Sequence, residues 1–169
     1  VLTASKTVLV IINVPPTIST IANQAVVCPN SPTNTVSFTI NDENTPLNNL
    51  VLTATSSNTA LVPNSNIVFS GTNGTRSLVV TPGTNQTGTA TITVTVTDSY
   101  NTTASSSFTV TFADTVLPTV VTQNVTASLD ATGTATITAA QINNGSTDNC
   151  GVSTVTVNPS TRSEEHTSE

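Results

Sequence analysis

Apolar and polar positions alternate along much of this chain. In 89–98 (TATITVTVTD), Ala90, Ile92, Val94 and Val96 share one face and the threonines take the other. A period of two is that of a strand with one buried side. The segment 107–112 (SFTVTF) repeats the pattern with Phe108, Val110 and Phe112, and 35–40 (TVSFTI) with Val36, Phe38 and Ile40. Shorter strands are predicted at 50–56, 66–70 and 75–81. No stretch carries a helical period of 3.6 residues. The breaks fall between these segments. Asn73-Gly74 separates two of them and supplies the positive φ of a tight hairpin turn. Pro82-Gly83 and Gly88 bracket the loop before the longest strand.

With a first strand split across 17–28, residues 15–113 hold seven short strands. That count, with turn signals between them, predicts an all-β fold, an Ig-like Greek-key β-sandwich. The chain also repeats itself. Val14-Pro15-Pro16-Thr17-Ile18 is echoed by Val116-Leu117-Pro118-Thr119-Val120, about one sandwich length further on. Each proline pair or proline follows a strand-like segment, 7–13 and 107–113, and stiffens the junction. The expected organisation is therefore tandem: 1–14 as the last strand of a preceding repeat, 15–113 as a complete sandwich, and 114–161 as the N-terminal half of another. Stacked repeats of this kind form a one-dimensional rod. A half sandwich exposes its inner face and an edge, so 114–161 is expected to be unstable alone.

Composition narrows the function. Charged residues are 7% of the chain, aromatics 3%, and the formal net charge is −6. Three basic residues cannot supply the footprint a nucleic-acid binder needs, or a polybasic membrane patch. No apolar run reaches membrane-spanning length. The abundant β-branched residues suit a pleated surface and distinguish the chain from a disordered one. The last eight residues, 162–169 (RSEEHTSE), differ from everything upstream and hold the only histidine, His166. They resemble the in-frame translation of a sequencing adapter, which sets them aside from fold reasoning. Without them no histidine remains to act as a base for a serine nucleophile. Nothing selects the facing carboxylate pair of a glycosidase, so the chain is expected not to be an enzyme.

Residues 50–98 (LVLTATSSNTALVPNSNIVFSGTNGTRSLVVTPGTNQTGTATITVTVTD) carry a family resemblance. On them, 15–113 resembles the cadherin-like and Ig-like tandem repeats of bacterial surface proteins. Residues 117–151 (LPTVVTQNVTASLDATGTATITAAQINNGSTDNCG) are similar to the hyalin-repeat domains of bacterial adhesins. The resemblance implies a secreted, cell-surface spacer whose partners are the neighbouring repeats of its own chain. A glycan or protein ligand would be bound elsewhere in the parent protein. Two alternatives stand beside it. One is an accessory or carbohydrate-binding module of a secreted hydrolase, against which one Tyr and no Trp argue. The other is a calcium-dependent adhesion module.

Calcium is the one candidate cofactor. Asp42 and Glu43 follow a strand in the loop between the second and third strands, and Asp98 ends the sixth. In a Greek-key sandwich these loops share the end that faces the preceding repeat, where Asn13 would also lie. Calcium takes six to eight oxygens from carboxylates and carbonyls, and the cadherin resemblance points the same way. The alternative is that Asp and Asn only turn the chain. Asp114 and Asp148 form an equivalent pair at the next joint. The family pattern often places acidic residues after its first strand, but 24–30 (QAVVCPN) holds none. The complete repeat also lacks a lysine, so the Lys–Asn crosslink of some adhesins cannot form there. The resemblance implies that Cys150 pairs with a cysteine of a missing half-repeat. No Cys28–Cys150 bridge is expected, which leaves Cys28 a buried thiol or without a partner. Five Asn-x-Ser/Thr sequons, at Asn73, Asn85, Asn101, Asn124 and Asn144, are expected by chance in so Asn- and Thr-rich a chain. Arg76 is read as a solvated strand residue.

Overall fold

A computed structural model of the chain describes residue 10 and residues 12–158 and 160–163. They fall into two compact units, Val1–Ala113 and Asp114–Glu169. Residues 1–9 and 164–169, which hold most of the segment 1–14 expected as the last strand of a preceding repeat and most of the charged tail, lie outside the described residues, His166 among them.

Unit 1 is an all-β sandwich of two antiparallel sheets. Strands β1 (Thr17–Ile18), β2 (Val36–Asn41), β5 (Thr75–Val80) and β4 (Ile67–Thr72) form one sheet, in the order β1-β2-β5-β4. Strands β3 (Val51–Ser56), β6 (Gly88–Thr97) and β7 (Thr103–Phe112) form the other, in the order β3-β6-β7. Four strands facing three in this order is the immunoglobulin constant-type arrangement. The alternation explains it directly. In β6, Ala90, Ile92, Val94 and Val96 are buried, and they meet Phe108, Val110 and Phe112 of β7 in the core. Val36, Phe38 and Ile40 of β2 and Leu78 and Val80 of β5 close it from the facing sheet. Phe69 packs edge-on against Phe38, with ring centroids 6.4 Å apart. Thr93 pairs across from Ser107, and Thr89 from Thr111. Their hydroxyls meet at 2.9 and 3.0 Å on the solvent side.

The split first strand is present. After β1 pairs with β2, the chain crosses to the other sheet. There Gln24 N–H donates to Thr109 O, Val27 N–H to Thr111 O, and Ala113 N–H returns to Val27 O. The bridge Val27–Phe112 is parallel. The hairpin β4–β5 turns at Asn73-Gly74, where Asn73 takes φ 53°.

Two expectations are corrected here. Arg76 is not solvated: it lies 7% exposed on the inward register of β5 with Leu78 and Val80. The period-two pattern that placed those neighbours inside applied to it equally, and its charge hid the fact. Cys28 is neither a free thiol nor without a partner. Both cysteines are disulfide-bonded and none is free. A bridge depends on Cα atoms approaching to about 4.4–6.8 Å, which distance along the sequence does not measure.

Unit 2 is built differently. It has β8 (Thr134–Thr136) paired with β9 (Thr161–Ser163), a one-turn helix α1 (Ala139–Ile142), and two isolated bridges, Thr119–Thr147 and Thr122–Asn143. Thr138 and Gln141 close a capping box on α1. Every buried hydrophobic side chain of the described residues lies between Ile21 and Phe112, and none in 114–163.

Candidate functional site

The acidic residues singled out from sequence sit in two places. The first is the end of the sandwich where the chain arrives. Here the loop from Asn41 to Val51, the β6–β7 turn and the arriving segment at Asn13 are tied together. Asn13 Nδ2 donates to Asp98 Oδ2 at 2.7 Å and to Thr102 Oγ1 at 2.9 Å. Val14 N–H donates to Asn44 Oδ1 at 2.9 Å. Thr45 and Ser99 join the two loops through their hydroxyls at 3.0 Å.

Asp98 is buried and organises the β6–β7 turn. Its Oδ1 accepts the N–H groups of Tyr100 and Thr102 at 2.9 and 2.7 Å. Its Oδ2 accepts Asn13 Nδ2 and the Thr102 hydroxyl. Burial pushes its pKa up, but the hydrogen bonds from Thr102, Asn13 and Tyr100 outweigh it and hold the carboxyl below its ordinary value. A carboxylate with four donors pointed at it is a turn-forming group first. Asp42 is half-used. Its Oδ1 accepts the N–H groups of Asn44 and Thr45, while Oδ2 is buried with no partner, as is Asn13 Oδ1. Glu43 is exposed and takes part in none of these bonds.

The second place lies in unit 2. Asp114, Asp148 and Cys150 present ligand atoms within 4.8 Å of one another, the one such acid or thiol cluster among the described residues. The sulfur is in a disulfide, so it offers no thiolate to a metal. Two carboxylates remain. Asp148 Oδ1 accepts Cys150 N–H at 2.7 Å, and Asp148 Oδ2 is buried with no partner. Asp114 Oδ1 accepts Val116 N–H at 3.2 Å. A cleft of about 170 Å³ opens between them, lined also by Pro118, Gly151, Val152, Ser153 and Thr154. The structure thus brings Asp114 and Asp148 together. It does not gather Asp42, Glu43 and Asp98 into one such cluster.

Sequence reasoning missed Asp130. Its Oδ1 accepts the Thr132 hydroxyl at 2.6 Å and the N–H groups of Thr132 and Thr134 at 2.8 and 3.0 Å. Those bonds, the Thr132 hydroxyl foremost, lower its pKa. The signal was the run Asp130-Ala131-Thr132-Gly133, an Asx-turn sequence. Among the described residues no helix is long and apolar enough to cross a membrane. The chain matches no protein-family model and no curated protein.

Proposed function

We propose that the chain is a non-catalytic spacer from the stalk of an exported bacterial surface protein, holding a distal functional domain away from the cell. The observation that carries this reading is the pairing of the terminal segments of unit 1. Residues 24–28 run parallel to the end of β7 and are bonded to it at Gln24, Val27 and Ala113. The chain arrives at Asn13, bonded to Thr102 just before β7, and leaves at Ala113 just after it. Arrival and departure are separated by the ten residues of β7, about 33 Å of strand. Tension between those points shears the parallel bonds together instead of opening them one at a time. Disulfide bonding of both cysteines accords with an oxidising, extracellular setting.

Pulling the full chain between its termini tests the reading, with reductant present so that no disulfide carries load. A distinct force peak for unit 1 is expected. Val27→Pro deletes the N–H that bonds Thr111 and should lower that peak. Unit 1 yielding without a peak, or a peak indifferent to Val27→Pro, would sink the mechanical reading.

A second reading, calcium bound at the acidic ends, is favoured by the orphaned buried oxygens of Asn13, Asp42 and Asp148. Hard oxygen donors without partners are what calcium seeks. At Asp98 the donors already in place oppose it. Asp114 and Asp148 would hold the ion in unit 2. Calorimetric titration with calcium is expected to show binding that Asp148→Asn weakens; a flat titration removes this reading.

A further inference from the structure

The chain contains two Asn-Gly dipeptides, Asn73-Gly74 and Asn144-Gly145, and the structure gives them opposite surroundings. We propose that Asn144 is a self-modification site, converting to isoaspartate and aspartate, whereas the fold protects Asn73.

The chemistry needs only water. The backbone nitrogen of the following glycine attacks the asparagine Cγ, forming an N–Cγ bond. The Cγ–Nδ2 bond breaks, and the nitrogen's proton leaves with the amide as ammonia. Water then opens the succinimide. Addition at the main-chain carbonyl breaks its bond to nitrogen and leaves isoaspartate; addition at Cγ leaves aspartate. The step requires a free asparagine amide and an unobstructed glycine nitrogen.

Asn144 meets both conditions. It is exposed, as is Gly145. Its amide makes no hydrogen bond among the described residues, and its backbone N–H, bonded to Val121 O at 2.9 Å, is not the reacting one. Gly145 has φ 85°, and nothing lies within 4 Å of where its Cβ would stand. Asn73 fails the first, and the glycine beside it has little room to move. Asn48 Nδ2 donates to Asn73 Oδ1 at 3.0 Å, and Asn73 N–H donates to Asn48 Oδ1 at 2.8 Å. Gly74 is crowded: its Cβ position lies 3.0 Å from Ile40 O and 3.3 Å from Leu47 Cδ1. The Gly74 carbonyl is also fixed, accepting Ile40 N–H at 2.8 Å. Asn73 cannot reach the reactive geometry without giving up the Asn48 clasp, which slows it by roughly tenfold or more.

The site has a structural consequence. Asn144 stands between the bridges Thr122–Asn143 and Thr119–Thr147. Isoaspartate lengthens the main chain by a methylene there and adds a carboxylate, which loosens both.

The test is peptide mapping with isoaspartate detection on the full chain, made in a host without N-glycosylation and aged in mildly alkaline buffer. The Asn144 peptide should convert while the Asn73 peptide lags by roughly tenfold or more. Asn48→Ala should speed Asn73 and leave Asn144 unchanged. In denaturant the two rates should converge, since the contrast comes from the fold. An Asn144 peptide that stays intact, an Asn73 peptide that keeps pace with it in the folded chain, or rates that remain apart in denaturant would each overturn the proposal.

Discussion

At the scale of single residues, two buried charged groups are handled in opposite ways. Asp98 has four donors on its carboxylate. Its folded pKa is depressed, so ionisation of Asp98 contributes stability that is present above the unfolded value, about 3.9. That contribution is lost as pH falls through the depressed folded value. Asp98→Asn should therefore lose less stability than the parent on acidification below about pH 4. Melting temperatures of the two proteins across that range decide it, and parallel curves would refute it. Arg76 is the reverse. Its Nη2 donates to Leu47 O at 2.9 Å, but Nη1 is buried with no partner. An unsatisfied buried donor costs about 1–3 kcal/mol. Arg76→Met keeps much of the side-chain volume and removes the orphan, so it should stabilise unit 1 by about 1 kcal/mol. Urea unfolding will show whether the midpoint rises as expected; a fall would mean that the Leu47 contact outweighs the orphan. The sequence made Asp98 legible as a strand-ending carboxylate. It left Arg76 misread, because burial of a charge is decided by strand register and not by residue type.

At the scale of elements, most of unit 1 was legible because its strands obey period two almost without exception. The predicted strands at 35–40, 50–56, 66–70, 75–81, 89–98 and 107–112 all have counterparts. The two longest differ from expectation at their edges: β7 begins at Thr103, earlier than Ser107. Residues 103–107 (TASSS) are too small and polar to show an apolar face. Their pairing with β6 from Thr97↔Thr103 to Thr93↔Ser107 is imposed by the ladder they join. The hairpin β4–β5 was announced by Asn73-Gly74, but its second requirement was silent. Gly71 has φ 91°, and a Cβ there would stand 2.6 Å from Thr75 O. The clash is with backbone, so no side chain can relieve it. Gly71→Ala should destabilise unit 1 by about 1–3 kcal/mol, read from denaturant unfolding. A loss below a few tenths would show that the hairpin shifts at little cost. The acidic cleft was only half legible. Asp114 and Asp148 were paired as the equivalent site at the next joint, but the approach of Cys150 and the orphaned Asp148 oxygen belong to the folded chain alone.

At the scale of the molecule, the two units differ in what holds them. Unit 1 buries Phe108, Phe112, Leu61, Leu78 and six β-branched side chains among its largest fully enclosed residues, each worth about 1.5–3 kcal/mol of transfer free energy. Unit 2 has no buried hydrophobic side chain among its described residues, and leaves Leu117, Val120 and Val116 exposed by 87%, 71% and 54%. Val120 and Val155 line both of its apolar clefts, about 220 and 240 Å³, and Val121 and Ile142 line the first. Local opening free energy follows buried contacts and protected backbone bonds, so the units should separate under a protease. Digestion of the full chain, read on a reducing gel, should remove 114–169 early and leave a resistant fragment near 15–113. Hydrogen exchange gives an independent measure: amides of β6 and β7 should exchange last, and those of 119–147 near the rate of an open chain. Protection in unit 2 equal to that of β6 would mean that its few bridges and exposed valines are held by packing, and the expectation of an intrinsically weak half-repeat would fall.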